Sequence, residues 1–287
     1  MEQIPSAEKE TEKIEKFNFP EIENLAEPMI ELCSKLKNNF DTGKYRTLLS
    51  DDIGGRIPTL VIANVLKKLR HDISVSFVAA GHSTPGSVTG KEWKGLVRHL
   101  KEKISPEGSV LLITQFIHHG DTIGKLLLAL QQAGFNNIDV ASARSLYPEE
   151  VLNVEFNNQT YIGDRSSTMD IDSKHNFYTG LAKSGKTYNP SPQLLTKVIE
   201  EEGRERFMHQ EIDQIFDLKP DDRVDVINEK FKDPHKKAIF EARIKEPLSE
   251  EEKIQLRENI LKTREDVKTM ADLILQRVWN IKAEKGL

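Results

Sequence analysis

Residues 110–123 constrain the fold more than any other stretch of this chain. Val110, Leu111, Leu112 and Ile113 read as a buried strand, and the polar run from Thr114 to Thr122 reads as a tight loop. Residues 124–130 read as a helix, closed by Ala133 and Gly134. A strand, a glycine-containing loop and a helix make an anion cradle, because the helix N-terminus leaves unpaired N–H groups aimed at the loop.

The neighbouring segments repeat that alternation. Residues 45–50 predict a strand, 51–56 a loop and 57–70 a helix, with Pro58 tolerated in its first turn. Residues 73–80 predict the next strand. Residues 80–90 are rich in Gly, Ser and Thr and read as a loop containing His82. Residues 91–104 form a helical pattern with Trp93, Leu96, Val97 and Leu100 inward, and residues 137–143 predict a strand after the cradle helix. Tyr161, Ile162 and Gly163 read as the end of one more short strand. Strands alternating with helices predict an α/β fold around a mostly parallel sheet, and ligands in such sheets sit beyond the C-terminal strand ends. The loops at 51–56 and 114–122 both fall at such ends.

The chain has 287 residues, enough for one sizeable domain and an appendage. The net charge of −5 supplies no overall basic field and disfavours generic nucleic-acid binding. The single cysteine, Cys33, excludes an intrachain disulfide and reads as a small buried residue on a helix rather than a nucleophile. The charged N-terminus has no signal-peptide core, and the longest apolar run, near residues 59–66, is too short to span a bilayer. The expectation is a cytoplasmic protein with no membrane partner.

Composition divides the chain. Residues 1–24 read as a disordered or frayed tail, 25–165 as the α/β core, 166–191 as a flexible polar loop and 192–287 as a helical C-terminal extension. In the extension, Ser249, Glu250, Glu251 and Glu252 form a capping box that opens a long final helix. Ile260, Val267, Ile274 and Ile281 recur every seven residues along it. That face serves either packing on its own domain or a partner or homodimer helix. Trp279 reads as a packing anchor.

The cradle resembles the phosphoribosyl-pyrophosphate loop of the type I phosphoribosyltransferases. In that family the strand ends in two acidic residues and two apolar ones, followed by a small polar run ending in Gly-x-Thr. Here Thr114 and Gln115 stand at the acidic pair, and Phe116 and Ile117 are the apolar pair. His118, His119, Gly120, Asp121 and Thr122 fill the loop, with Gly120 and Thr122 kept. The first loop is similar to the family's pyrophosphate loop, since Gly55, Arg56, Ile57 and Pro58 match its glycine, apolar residue and proline. The resemblance covers residues 45–145. It implies a phosphoribosyltransferase-like parallel sheet flanked by helices, a phosphate held by residues 118–122, a ribose touched by Thr114 and Gln115, and pyrophosphate held by Gly54, Gly55 and Arg56. It also implies a phosphorylated ribose or nucleotide ligand and places His82 and Trp93 at the family's flap.

Chemistry supports parts of this directly. Glycines allow close backbone approach to an anion, and Arg56 can grip a phosphate through two parallel donors. Asp51 and Asp52 can hold a hydrated Mg2+. Thr114 and Gln115 can hydrogen-bond hydroxyls but bring no charge, and losing a charged group at a reacting centre costs powers of ten in rate unless something replaces it. Catalysis is therefore left open. Three functions follow: a phosphoribosyltransferase-like binder of phosphoribosyl pyrophosphate or a nucleotide 5′-phosphate, a non-catalytic regulatory or scaffold descendant acting through its C-terminal helices, and a hydrolase with His118 or His119 as base. Residues 180–187 also spell the phosphate-loop pattern of nucleoside triphosphatases. That motif works only between a buried strand and a helix starting at its Lys-Thr, and the polar flanks here argue against both.

Overall fold

The computed structural model describes residues 16–51, 54–78, 91–105, 107–118, 120–166, 187–188 and 250–281. The chain begins with a short helix α1 (Pro20–Glu23) and a longer α2 (Ala26–Asp41). Strands and helices then alternate: β1 (Tyr45–Asp51), α3 (Arg56–Lys68), β2 (Ser74–Val78), α4 (Lys91–Lys103), β3 (Ser109–Ile117), α5 (Asp121–Gln132), β4 (Ile138–Ser145), α6 (Glu149–Phe156) and β5 (Thr160–Arg165). A two-residue strand β6 (Thr187–Tyr188) and a final helix α7 (Glu250–Trp279) complete the described elements.

The strands form one sheet in the order β5-β4-β3-β1-β2-β6, and each neighbouring pair is parallel. Its strands read as near-continuous apolar runs because helices cover both faces. On one face Leu48, Leu111, Ile113, Ala141 and Ala143 pack with α2, α3 and α7. On the other, Leu49, Val110, Leu112 and Val140 pack with α4, α5 and α6. The split follows strand alternation along the first part of β3, where Val110 and Leu112 go to one core and Leu111 and Ile113 to the other. The α/β class and the parallel sheet expected from the sequence are thus present, with a C-terminal helix docked on them.

One expectation needs correction. The first four residues of the loop expected over Thr114–Thr122 are strand: Thr114, Gln115, Phe116 and Ile117 belong to β3, paired to β4 from Thr114↔Ser142 to Ile117↔Ser145. A buried neighbour strand supplies ladder partners, and these outweigh the polarity of Thr114 and Gln115.

Helix α7 begins at Glu250, where the capping pattern placed it, although Ser249 lies outside the described residues. The middle of its heptad face is occupied by the chain itself, while Ile281 is 43 % exposed. Val267 and Ile274 are buried with Met270, Ala271 and Leu275 in the core shared with α2 and α3. Of the two readings of that face, packing on its own domain is present at Val267 and Ile274, where α2 and α3 present the apolar surface that covers it. Trp279 is the packing anchor: it stacks on Phe40 at 6.3 Å between centroids and donates to Asp41 Oδ1 at 2.6 Å. Lys68 of α3 pairs with Asp272, and Arg277 pairs with Glu27 at 2.6 Å. The helices expected over 192–249 lie outside the described residues.

A buried carboxylate fixes the start of the described chain to its end. Asp266, 1 % exposed, accepts the backbone N–H groups of Asn18 and Phe19 at 2.8 and 2.9 Å and the Asn18 side-chain amide at 2.8 Å. Removing the acceptor leaves three part-buried donors without their charged partner, so Asp266→Ala is expected to destabilise the protein by about 2 kcal/mol. An unchanged urea midpoint with an unchanged slope would show that this clamp contributes nothing.

Cys33 is fully buried, and burial pushes its thiol up to about 12, which suits a core residue and not a nucleophile. At the N-terminal end of the sheet, Asp139 accepts from Tyr45 Oη at 2.6 Å and Lys44 Nζ at 2.5 Å. Burial, and then the Asp139 carboxylate, hold the Tyr45 phenol protonated far above its usual range. This network lies at the opposite end of the strands from both candidate loops.

Candidate functional site

The chain passes from β1 to β2 on one side and from β3 to β4 on the other, so β1 and β3 flank a topological switch point. In open parallel sheets with this strand order the crevice outside the C-terminal strand ends at the switch point is where ligands bind. Helix α3 leaves β1 on one face, and α5 leaves β3 on the other. The two loops singled out from sequence open these two helices.

The strand ends are stepped. Ser50 pairs with Ile113, but β3 runs on to Ile117 with β4 as its partner. The turn after β1 fills the base of this step. A Cβ on Gly55 would come within 2.5 Å of the Ile113 carbonyl, 2.0 Å of Ser50 Oγ and 2.6 Å of Asp51 Oδ1. A Cβ on Gly54 would sit 2.9 Å from Asp51 Oδ2 and 3.9 Å from Thr114 Oγ1. Only residues without side chains let the turn lie this close to both strands. The structure therefore brings Asp51, Gly54, Gly55 and Thr114 together.

Arg56 is the first residue of α3 and is 4 % exposed. Its guanidinium lies over the Phe77 ring, 5.4 Å from the centroid, a cation–π arrangement at the C-terminal end of β2. The charge is thus held beside the switch point by an aromatic face that sequence reasoning missed. Phe77 reads in sequence as one more apolar strand residue, and only its pairing opposite Ser50 reveals its place.

Thr114 and Gln115 are buried, 4 % and 1 % exposed. Thr114 Oγ1 lies beside the Gly54 turn.

Beyond β3 the loop is short. His118 is exposed and stacks on Phe116 at 6.1 Å between centroids. His119 lies outside the described residues, as do Asp52 and His82. Gly120 precedes α5 with φ +78°, a left-handed conformation that glycine adopts without strain. A Cβ there would meet Phe156 Cζ at 2.9 Å and Glu155 Oε1 at 3.3 Å, so Gly120 faces α6 and not an open cradle. Asp121 is exposed and Thr122 half-buried in the first turn of α5. No side chain among the described residues caps this helix, so its N–H groups are left for another acceptor.

Both Asp51 carboxylate oxygens lie against the glycine turn. Among the described residues no group of three His, Cys, Asp or Glu could hold a metal ion. Asp52, the second carboxylate expected to hold Mg2+ with Asp51, lies outside the described residues. In the nucleoside-triphosphatase pattern at 180–187, the last residue, Thr187, begins strand β6, paired with Phe77 of β2. A phosphate loop requires a helix at that position, so that reading is excluded.

No helix of the described residues is long and apolar enough to cross a membrane. No family model matches the chain, and neither a curated protein nor a solved structure matches it.

Proposed function

We propose that this chain binds a 5′-phosphorylated ribose compound, phosphoribosyl pyrophosphate or a nucleotide, at the β1/β3 switch point. The observation that carries this reading is the Gly54–Gly55 turn packed into the step between parallel strands β1 and β3, with Arg56 at the start of α3 and, after β3, an α5 N-terminus that no side chain among the described residues caps. The phosphate sits at the first turn of α5 near Thr122 and Gly120. The second anionic group lies at the Gly54–Gly55 turn, with Arg56 contributing charge from beneath. The phosphoribosyltransferase-like character of the core belongs to this proposal.

Thr114 and Gln115 bring no negative charge to the anomeric carbon, and both Asp51 carboxylate oxygens lie against the glycine turn. Binding is therefore the proposed role, and efficient glycosyl transfer is not part of it. The neutral pair equally favours a second reading, a regulatory protein that keeps the site as a sensor. The two share one test. Calorimetric titration with phosphoribosyl pyrophosphate, with and without Mg2+, should give heat in the native chain. A Thr122→Trp variant should bind at least about tenfold more weakly, a loss of about 1.4 kcal/mol, with its circular dichroism unchanged. Absence of heat with phosphoribosyl pyrophosphate and with nucleoside monophosphates overturns the proposal.

A further inference from the structure

Helix α7 carries two apolar lines. The buried one, with Thr263, Val267, Met270 and Ile274, faces the core shared with α2 and α3. A second line runs along the first half of the helix. Ile254 and Leu261 are 53 % and 58 % exposed. Each stands nine residues before a buried residue, Thr263 or Met270, and nine residues make two and a half turns. The pair therefore lies on the side of α7 turned away from its own domain. Seven residues apart, Ile254 and Leu261 sit one above the other, at the repeat of a two-helix seam.

Charge is sorted around this second line. At 3.6 residues per turn, Glu251 and Glu258 fall roughly 50° to one side of it, and Arg257 and Arg264 roughly 50° to the other. All four are exposed, and none forms a hydrogen bond or ion pair among the described residues. The pattern then stops. Lys268 takes the next place after Leu261, and Glu265, the next residue on the acidic flank, accepts from the Asn18 amide at 3.5 Å.

We infer that this face pairs with the same face of a second copy of this chain, the two α7 helices running parallel about a two-fold axis. Such an axis sets each Ile254 and each Leu261 against its symmetry mate. It also sets the acidic flank of each copy against the arginine flank of the other, on both sides of the seam. Glu251, Glu258, Arg257 and Arg264 then gain the ion partners they lack within the chain. An antiparallel pair would instead face acidic flank with acidic flank and arginine flank with arginine flank. The charge pattern thus selects both a self-partner and its direction. Little ordering is needed to bind, because the second half of α7 is already anchored by Val267, Met270 and Ile274. This contact is independent of the switch-point site, which lies at β1 and β3.

Sedimentation equilibrium of the full chain tests it. The mass should rise with concentration toward that of two chains, with a dissociation constant on the order of 100 μM for so short a seam. Leu261→Glu, an exposed substitution, should weaken association at least about tenfold, with circular dichroism unchanged. Two charge variants give the sharper result. Arg257→Glu with Arg264→Glu makes both flanks acidic, and Glu251→Lys with Glu258→Lys makes both basic. Each variant should stay monomeric alone, and an equal mixture of the two should associate. Direction is read from Ile254→Cys, which should form a disulfide-linked dimer under mild oxidation, since the native Cys33 is fully buried and does not compete. A native chain that stays monomeric, a dimer indifferent to Leu261→Glu, a mixture that fails to associate or an Ile254→Cys variant that does not cross-link would each overturn the proposal.

Discussion

Replacing Gly163 with alanine is expected to be among the most destabilising single-methyl additions in this protein. A Cβ there would lie 2.0 Å from the Pro28 carbonyl oxygen and 2.7 Å from the Ala143 carbonyl oxygen. Both are backbone atoms, one in α2 and one in β4, so no flexible side chain can move aside. The strand would have to separate from α2, whose Met29, Leu32 and Leu36 are fully buried in the core on that face. Overpacking of this kind costs about 3 kcal/mol, which for a core of this size lowers Tm by roughly 10 °C. Gly124 in α5 provides the internal contrast, because a Cβ there meets nothing within 4 Å. Alanine at 124 removes backbone freedom from the unfolded chain and should leave the protein level or more stable by up to about 1 kcal/mol. Thermal unfolding of the two variants side by side decides the matter. Equal Tm values would mean that β5 is not seated on α2 as described.

Gly55→Ala should act on both stability and the proposed site. The added methyl is directed at Ser50 Oγ, the Ile113 carbonyl and Asp51 Oδ1 together. Ser50 can rotate, but the carbonyl cannot, so the turn must rise from the strand step. We expect a cost of about 2 kcal/mol and the loss of phosphoribosyl-pyrophosphate binding, since the N–H groups of the turn and the start of α3 leave their positions together. Calorimetry on the variant at a temperature well below its unfolding separates the two effects. Retained affinity would remove the Gly54–Gly55 turn from the ligand site while leaving the α5 terminus in it.

How much of this was legible beforehand differs from element to element. The runs around β1, β2, β3 and β4 announce themselves because strands covered on both faces need little polar surface. The helix at 91–103 is legible because Trp93, Leu96 and Leu100 repeat with the helical period. The end of β3 was not legible. Thr114 and Gln115 look like loop residues, and only β4 alongside them, pairing Thr114 with Ser142, makes them strand. Arg56 looks like an exposed cation beside two glycines, and only Phe77 on a different strand shows that it is buried.

The sequence alone therefore determined the alternation of strands and helices, the α/β class, the placement of both glycine loops at strand ends and the apolar stripe of the last helix. These depend on local periodicity and on residue types whose preferences act within a few positions. Tertiary structure decided the rest. It determined that β1 and β3 are neighbours, that β3 outruns β1 by a step the glycine turn fills, and that Gly120 faces Phe156. It also determined that the middle of the α7 stripe is covered by α2 and α3, and that Asp266 receives the backbone of Asn18 and Phe19 from the far end of the chain. Each of these is a contact between residues distant in sequence. Such contacts are selected by which buried surfaces and hydrogen-bond partners become available once the sheet forms, and local pattern carries no record of that choice.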